Sequence, residues 1–188
     1  MHKSKTPLNP AILFVVKFLG IFGLLYVFYI AYLSLSSPGG YYIPFLDKHF
    51  NFVNSFRNLL IQGSAAILNL LGYQTKTTAT QMLVVKHNII NVGYDCLGFA
   101  VMCFFTAFVI AYPATLKGKL FFFTGGIIGI QLLNLTRFIL LSLYWKHSNV
   151  YITDHHTVFN IVVYILIALA IYFYTQYQGK NFKLSAAN

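Results

Sequence analysis

From residue 11 to residue 33 the chain carries one charged side chain, Lys17, in an otherwise apolar run. About 20 residues at 1.5 Å each cross the hydrocarbon core of a bilayer, so this run is long enough to span. It also exceeds the core of a secretion signal, roughly 7–15 residues, and reads as an uncleaved helix closed by Ser36-Ser37-Pro38-Gly39-Gly40. Three more runs read as spans: residues 97–112, stopped by Pro113; residues 120–144, closed by Trp145; and residues 158–177, flanked by Lys180 and Lys183. The chain is 58% hydrophobic and 9% charged, against about 25% charged in ordinary globular domains. Most of it therefore cannot face water, and disorder and a disulfide-stapled secreted fold are both excluded.

The expected fold is an all-α integral membrane protein, a single domain over residues 1–188. It comprises a bundle of four transmembrane helices with an outer amphipathic helix and a short β-hairpin. In residues 50–72, Phe52, Phe56, Leu59, Leu60, Gly63, Ile67, Leu70 and Leu71 recur at steps of three and four. Asn51, Asn54, Ser55, Asn58, Gln62 and Asn69 fill the other side. That pattern predicts an amphipathic helix in the interface or packed on the bundle; a fifth span is the alternative. With four spans Lys3/Lys5, Lys117/Lys119 and Lys180/Lys183 fall on one side, the cytoplasmic one by the positive-inside rule. Residues 34–96 and 145–157 then share the outer side. There, β-prone runs 81–86 and 89–92 flank His87-Asn88 and predict the hairpin.

The charge inventory narrows the chemistry. Asp47, Asp95 and Asp154 are the only acids, which excludes paired-carboxylate catalysis of the glycosidase or aspartic-protease kind. The net charge of +10 comes from Lys and Arg lying mostly between apolar runs. They orient helices and meet anionic headgroups, so the bilayer, not nucleic acid, is the expected partner. Cys96 and Cys103 are separated by about 10 Å of helix, beyond the roughly 7 Å a disulfide allows.

Polar groups beside or within a bilayer are the best pointers to function. Cys96 sits in Tyr94-Asp95-Cys96-Leu97-Gly98, at the mouth of the second span, where a helix dipole favours thiolate. Gly98 permits close approach of another chain. Arg137 lies inside the third span, about 10 Å below its outer boundary, and Gln131, Asn134 and Arg137 form a polar stripe facing the bundle interior. Asp154-His155-His156 opens the last span, and histidine is the usual proton shuttle near neutral pH. Adjacent histidines on a helix chelate one ion poorly, so no metal is expected. His49, Arg57, Lys76, Lys86, His87, Lys146 and His147 read as solvated or lipid-contacting. A cysteine, an arginine and a histidine on successive spans at similar depth are the parts of a thiol acyl-transfer site.

In these segments the chain resembles the exosortase/archaeosortase family of membrane-embedded cysteine transpeptidases, over a catalytic core of about residues 60–177. The resemblance rests on Asp95-Cys96-Leu97-Gly98, Asn134-Leu135-Thr136-Arg137 and Asp154-His155-His156-Thr157-Val158-Phe159. Leu97 stands where the family usually has serine. The resemblance implies catalytic Cys96 and Arg137, a catalytic histidine at His155 or His156, and supporting Asn134, Asp95 and Gly98. It implies no cofactor. Its substrates would be secreted proteins with a C-terminal sorting tail, cleaved through a thioester that an unidentified acceptor nucleophile or water resolves. The enzyme would sit in a bacterial plasma membrane with its site on the extracytoplasmic face. Two rivals remain: a non-catalytic membrane subunit or assembly factor pairing helices through Arg137, and a small transporter using the polar stripe. The four-span topology predicts that a cysteine at Thr77, in a background lacking Cys96 and Cys103, reacts with an impermeant thiol reagent in intact cells. Labelling only after permeabilisation would refute it.

Overall fold

The computed structural model describes residues 9–37, 41–144 and 155–186, the last stretch with side chains from 159 to 178. Helix α1 (Pro10–Ser36) begins where the Asn9 side chain accepts from the Ala11 amide at 3.0 Å, with Pro10 at a position that needs no amide donor. Helices α2 (Pro44–Phe50) and α3 (Phe52–Leu70) meet at Asn51. The Asn51 side-chain Oδ1 accepts from the Asn54 backbone amide at 2.9 Å, and its Nδ2 donates to Asp47. A second donor, the Tyr42 hydroxyl, joins it, and together they hold the Asp47 carboxyl below its usual range. Gly72, at φ +90°, ends α3 in a Schellman motif: Tyr73 N donates to Leu68 O and Gly72 N to Asn69 O, satisfying terminal carbonyls.

Strands β1 (Thr75–Thr77), β2 (Gln81–Val84) and β3 (Ile89–Asn91) form an antiparallel sheet in that order. Thr75 pairs with Val84 and Thr77 with Met82; Gln81 pairs with Asn91 and Leu83 with Ile89. The expected hairpin is therefore present as β2–β3 and gains β1 as a third strand. Its turn centres on Val85-Lys86, ahead of His87-Asn88: His87 N donates to Val84 O and Lys86 takes φ +68°. A single-turn 3-10 helix, η1 (Tyr94–Leu97), leads through Gly98 into α4 (Phe99–Ala111). Helices α5 (Leu116–Tyr144) and α6 (His155–Ala186) complete the chain.

Among the described residues, three helices are long and apolar enough to cross a membrane: α1, α5 and residues Phe159–Gln178 of α6. The expected second span is a helix of 13 residues, about 20 Å long against a hydrocarbon core of about 30 Å. Gly98 in the left-handed region cuts its apolar run at one end, and extended Tyr112 before Pro113 cuts it at the other. Within residues 50–72 the helix is α3, Phe52–Leu70, outside the spanning set, and its buried stripe is turned away from the apolar one in the sequence. Val53, Arg57, Leu60, Ile61, Ser64, Ala65 and Leu68 are buried, while Phe52, Leu59, Ile67, Leu70 and Leu71 are exposed. Small Ser64 and Ala65 allow close packing on α5 and the sheet; in a membrane protein the outward face has no need to be polar.

Two apolar cores result. One joins α3, the sheet, η1 and the end of α5 through Val53, Leu60, Ile61, Leu68, Met82, Val84, Val92, Leu97 and Phe138. The other joins α4, α5 and α6 through Phe105, Phe108, Val109, Ile130, Val163 and Ile167, with Phe14 and Phe18 of α1 against it. Helix α5 runs through both. In the second core the tip of the Phe105 ring abuts Gly126, where an added Cβ would overlap ring carbons. Gly126→Ala should therefore destabilise the protein by about 1–3 kcal/mol, the cost of overpacking, and Phe105→Leu should recover much of that loss. Detergent-resistance melting of the two single variants and the double variant measures both effects.

Candidate functional site

The seam between the two cores holds the polar stripe. Asn134 and Arg137 are 5% and 2% exposed. The Asn134 amide nitrogen donates to the Leu97 carbonyl at 3.2 Å and to Gln131 Oε1 at 3.1 Å. Gln131 in turn donates to the Met102 sulfur at 3.1 Å. One helical turn further along α5, Arg137 directs Nη2 to Cys96 Sγ at 3.8 Å, both groups buried. The guanidinium also lies over the Phe159 ring of α6, 5.6 Å from its centroid. Residues 41 positions apart are thus brought into contact, and three elements converge on one cation.

Cys96 does not occupy the first turn of α4, as the sequence suggests. It is the third residue of η1, and Gly98 at φ +75° separates that turn from the helix. The left-handed conformation is costly for a side chain. Space adds to the requirement: a Cβ at position 98 would sit 2.8 Å from the Asn134 nitrogen that holds Leu97. The close approach expected of Gly98 is therefore made by Asn134. The thiol owes its position to a turn clamped by α5 and not to a helix dipole.

Beside the pair lies a cleft of about 220 Å³, lined by Tyr29 of α1, Asp95 and Gly98 at the turn, Asn134 and Arg137 of α5, and Asn160 of α6. Asp95 is exposed to it, whereas Cys96 is 6% exposed and stands behind its wall. Of the residues singled out in the sequence, Cys96, Arg137, Asn134, Asp95 and Gly98 come together here. His155 and His156 are the first residues of α6, one turn before Phe159, but their side chains, like Asp154, lie outside the described residues. Cys103 is half-buried on α4, two turns beyond the site. Among the described residues no cluster of His, Cys, Asp or Glu is suited to a metal ion.

The structure adds residues the sequence did not single out. Arg57, read as solvated, is 8% exposed and its guanidinium carbon lies 4.9 Å above the Tyr94 ring. Its spacing from Val53 and Ile61 on one face of α3 was the available signal. Phe159 and Asn160 carried none beyond following the histidine pair. Fold and site together define a helical membrane protein with a thiol–guanidinium pair buried at the seam of its two cores. Comparison with family models, curated proteins and solved structures returns no match.

The clamp on Leu97 has a measurable consequence. Asn134→Leu removes the donor to a buried carbonyl, a loss of roughly 1–3 kcal/mol, and should free the turn. Alkylation of Cys96 in a Cys103→Ala background should then run several-fold faster than with Asn134 intact. An unchanged rate would mean the turn is held without Asn134.

Proposed function

We propose that this protein is a membrane-embedded cysteine transpeptidase or peptidase of the exosortase kind. It would cleave C-terminal sorting tails from secreted proteins on the extracytoplasmic face of a bacterial plasma membrane. The observation that carries the reading is the contact between Arg137 Nη2 and Cys96 Sγ at 3.8 Å, both buried. A guanidinium beside a sulfur favours thiolate and then stands ready for the oxyanion that forms on attack. Burial strengthens both effects, because neither charge is screened by water.

The sequence of steps is that of acyl transfer. The Cys96 thiolate adds to the scissile carbonyl while Arg137 meets the developing oxyanion. The C–N bond breaks, the leaving amine takes a proton from His155 or His156, and the protein remains as a thioester on Cys96. An amine, hydroxyl or water acceptor, deprotonated by the same histidine, then attacks the thioester and releases the thiolate. Asp95, Asn134 and Asn160 line the cleft at this point and supply polar contacts for substrate or acceptor. We place four crossings in the membrane, with α4 as the short one. Lys119 supports that count: its Nζ donates to the Ile110 carbonyl at 2.8 Å, a cation capping the last turn of α4 on the side assigned to the cytoplasm.

A tagged secreted protein bearing an apolar, basic-ended tail reports the reaction by loss of that tail, read by C-terminal mass spectrometry. Cys96→Ala should abolish the loss at normal protein abundance, and Cys103→Ala should leave it nearly intact. Arg137→Lys should keep the protein in the membrane yet lose most processing, because one ammonium does not reproduce a planar fork of donors. Normal processing by Cys96→Ala would falsify the enzyme reading and leave a non-catalytic subunit that pairs helices through Arg137.

A further inference from the structure

A second arginine is buried on the far side of the same turn. Arg57 belongs to the inward stripe of α3, between Val53 and Leu60, where leucine would extend the apolar face without burying a charge. Its Nη2 donates to Asn54 Oδ1 at 2.6 Å, and its Nε has no hydrogen-bond partner among the described residues. A buried cation with a neutral amide acceptor and an incomplete set of partners is unfavourable for stability alone. What it gains is a π face: its guanidinium covers the Tyr94 ring at 4.9 Å. The Tyr94 hydroxyl donates to the same Asn54 oxygen at 3.4 Å. Asn54 is itself anchored, since its amide is capped by Asn51.

Tyr94 is the first residue of η1 and Leu97 the last. The turn that carries Cys96 is therefore gripped at both ends, by α3 through Tyr94 and by α5 through the Leu97 carbonyl. On the reading of Cys96 as the nucleophile, we propose that Arg57 is a positioning residue of the site. By stacking on Tyr94 and sharing Asn54 with it, Arg57 fixes the start of η1 and so sets where Cys96 Sγ meets Arg137. Arg57 touches neither substrate nor sulfur; it acts through Tyr94. Guanidinium suits the task because it is flat, lies along an aromatic face and is more weakly hydrated than ammonium.

The full-length protein in membranes provides the test, in a Cys103→Ala background, with two readouts on each variant. One is tail cleavage, resolved into kcat and KM; the other is the rate at which a small neutral haloacetamide alkylates Cys96. Displacing a reacting atom by about 1 Å costs up to about a hundredfold in rate, so Arg57→Leu should lower kcat by about ten- to a hundredfold with KM nearly unchanged. Its alkylation rate should depart from that of the parent by several-fold. Arg57→Lys keeps a cation over the ring and should return both readouts most of the way to the parent values. Tyr94→Leu should reproduce the Arg57→Leu effect, and the double variant should be no worse than either single one.

Wild-type kcat and alkylation in Arg57→Leu would overturn the proposal, as that side chain fills the space without the charge. Multiplying effects in the double variant would overturn it as well, since Arg57 would then act by a route other than Tyr94. If Arg57→Leu fails to accumulate, Arg57→Lys and Tyr94→Leu still decide: normal kcat and alkylation in Tyr94→Leu remove the route. Should Cys96 prove dispensable for cleavage, the enzyme reading falls alone, and the alkylation rates continue to report whether Arg57 sets the position of the thiol.

Discussion

Burying the Arg137 guanidinium is the constraint from which the rest of the site follows. At 2% exposure it is largely withdrawn from bulk water, and a charge in such surroundings needs polarizable or dipolar groups turned toward it. The described residues include two such groups, a sulfur from η1 and an aromatic face from α6, with α5 itself setting the depth. The fold is arranged accordingly. The long α5 crosses the seam, the short α4 starts beside it, and the sheet with α3 closes it from one side.

The thiol is placed by contacts from its neighbours and not by its own helix. Asn134 holds the carbonyl that ends the turn, while Tyr94 begins the turn under Arg57. Both grips come from elements that pack in the first core, and both are polar contacts with directional geometry. Apolar packing alone tolerates small slides of one surface over another; a carbonyl bound to an amide and a ring beneath a planar cation do not. For chemistry that depends on tenths of an ångström, the second kind of contact is the useful one.

Much of this was legible in the sequence. Apolar length marked the three long helices, because the cost of bare backbone in lipid leaves few other outcomes. The steps from Gln131 to Asn134 to Arg137 identified an inward stripe, since isolated charge has nowhere else to go. Gly98 was read correctly as a point of close approach. Other features were beyond a local reading. Strand β1 is three residues long and exists through its pairing with β2. The 3-10 turn at Cys96 depends on the left-handed Gly98, and the apolar run passes through that residue without a break in composition. On α3 the inward face was misjudged because hydrophobicity marks burial poorly where lipid and core are equally apolar; Ser64 and Arg57 are inside and Leu59 and Leu70 outside.

Gly98 also separates two mechanical regimes. Membrane helices tilt and shift to match the thickness of the bilayer around them, and α4, with 13 residues, is the one most exposed to mismatch on the four-crossing reading proposed above. Were Cys96 part of α4, each such adjustment would carry the sulfur with it. A left-handed joint instead separates the helix from the turn, while the turn stays tied to α3 and α5. On that reading a shift of α4 need not move the sulfur away from the guanidinium.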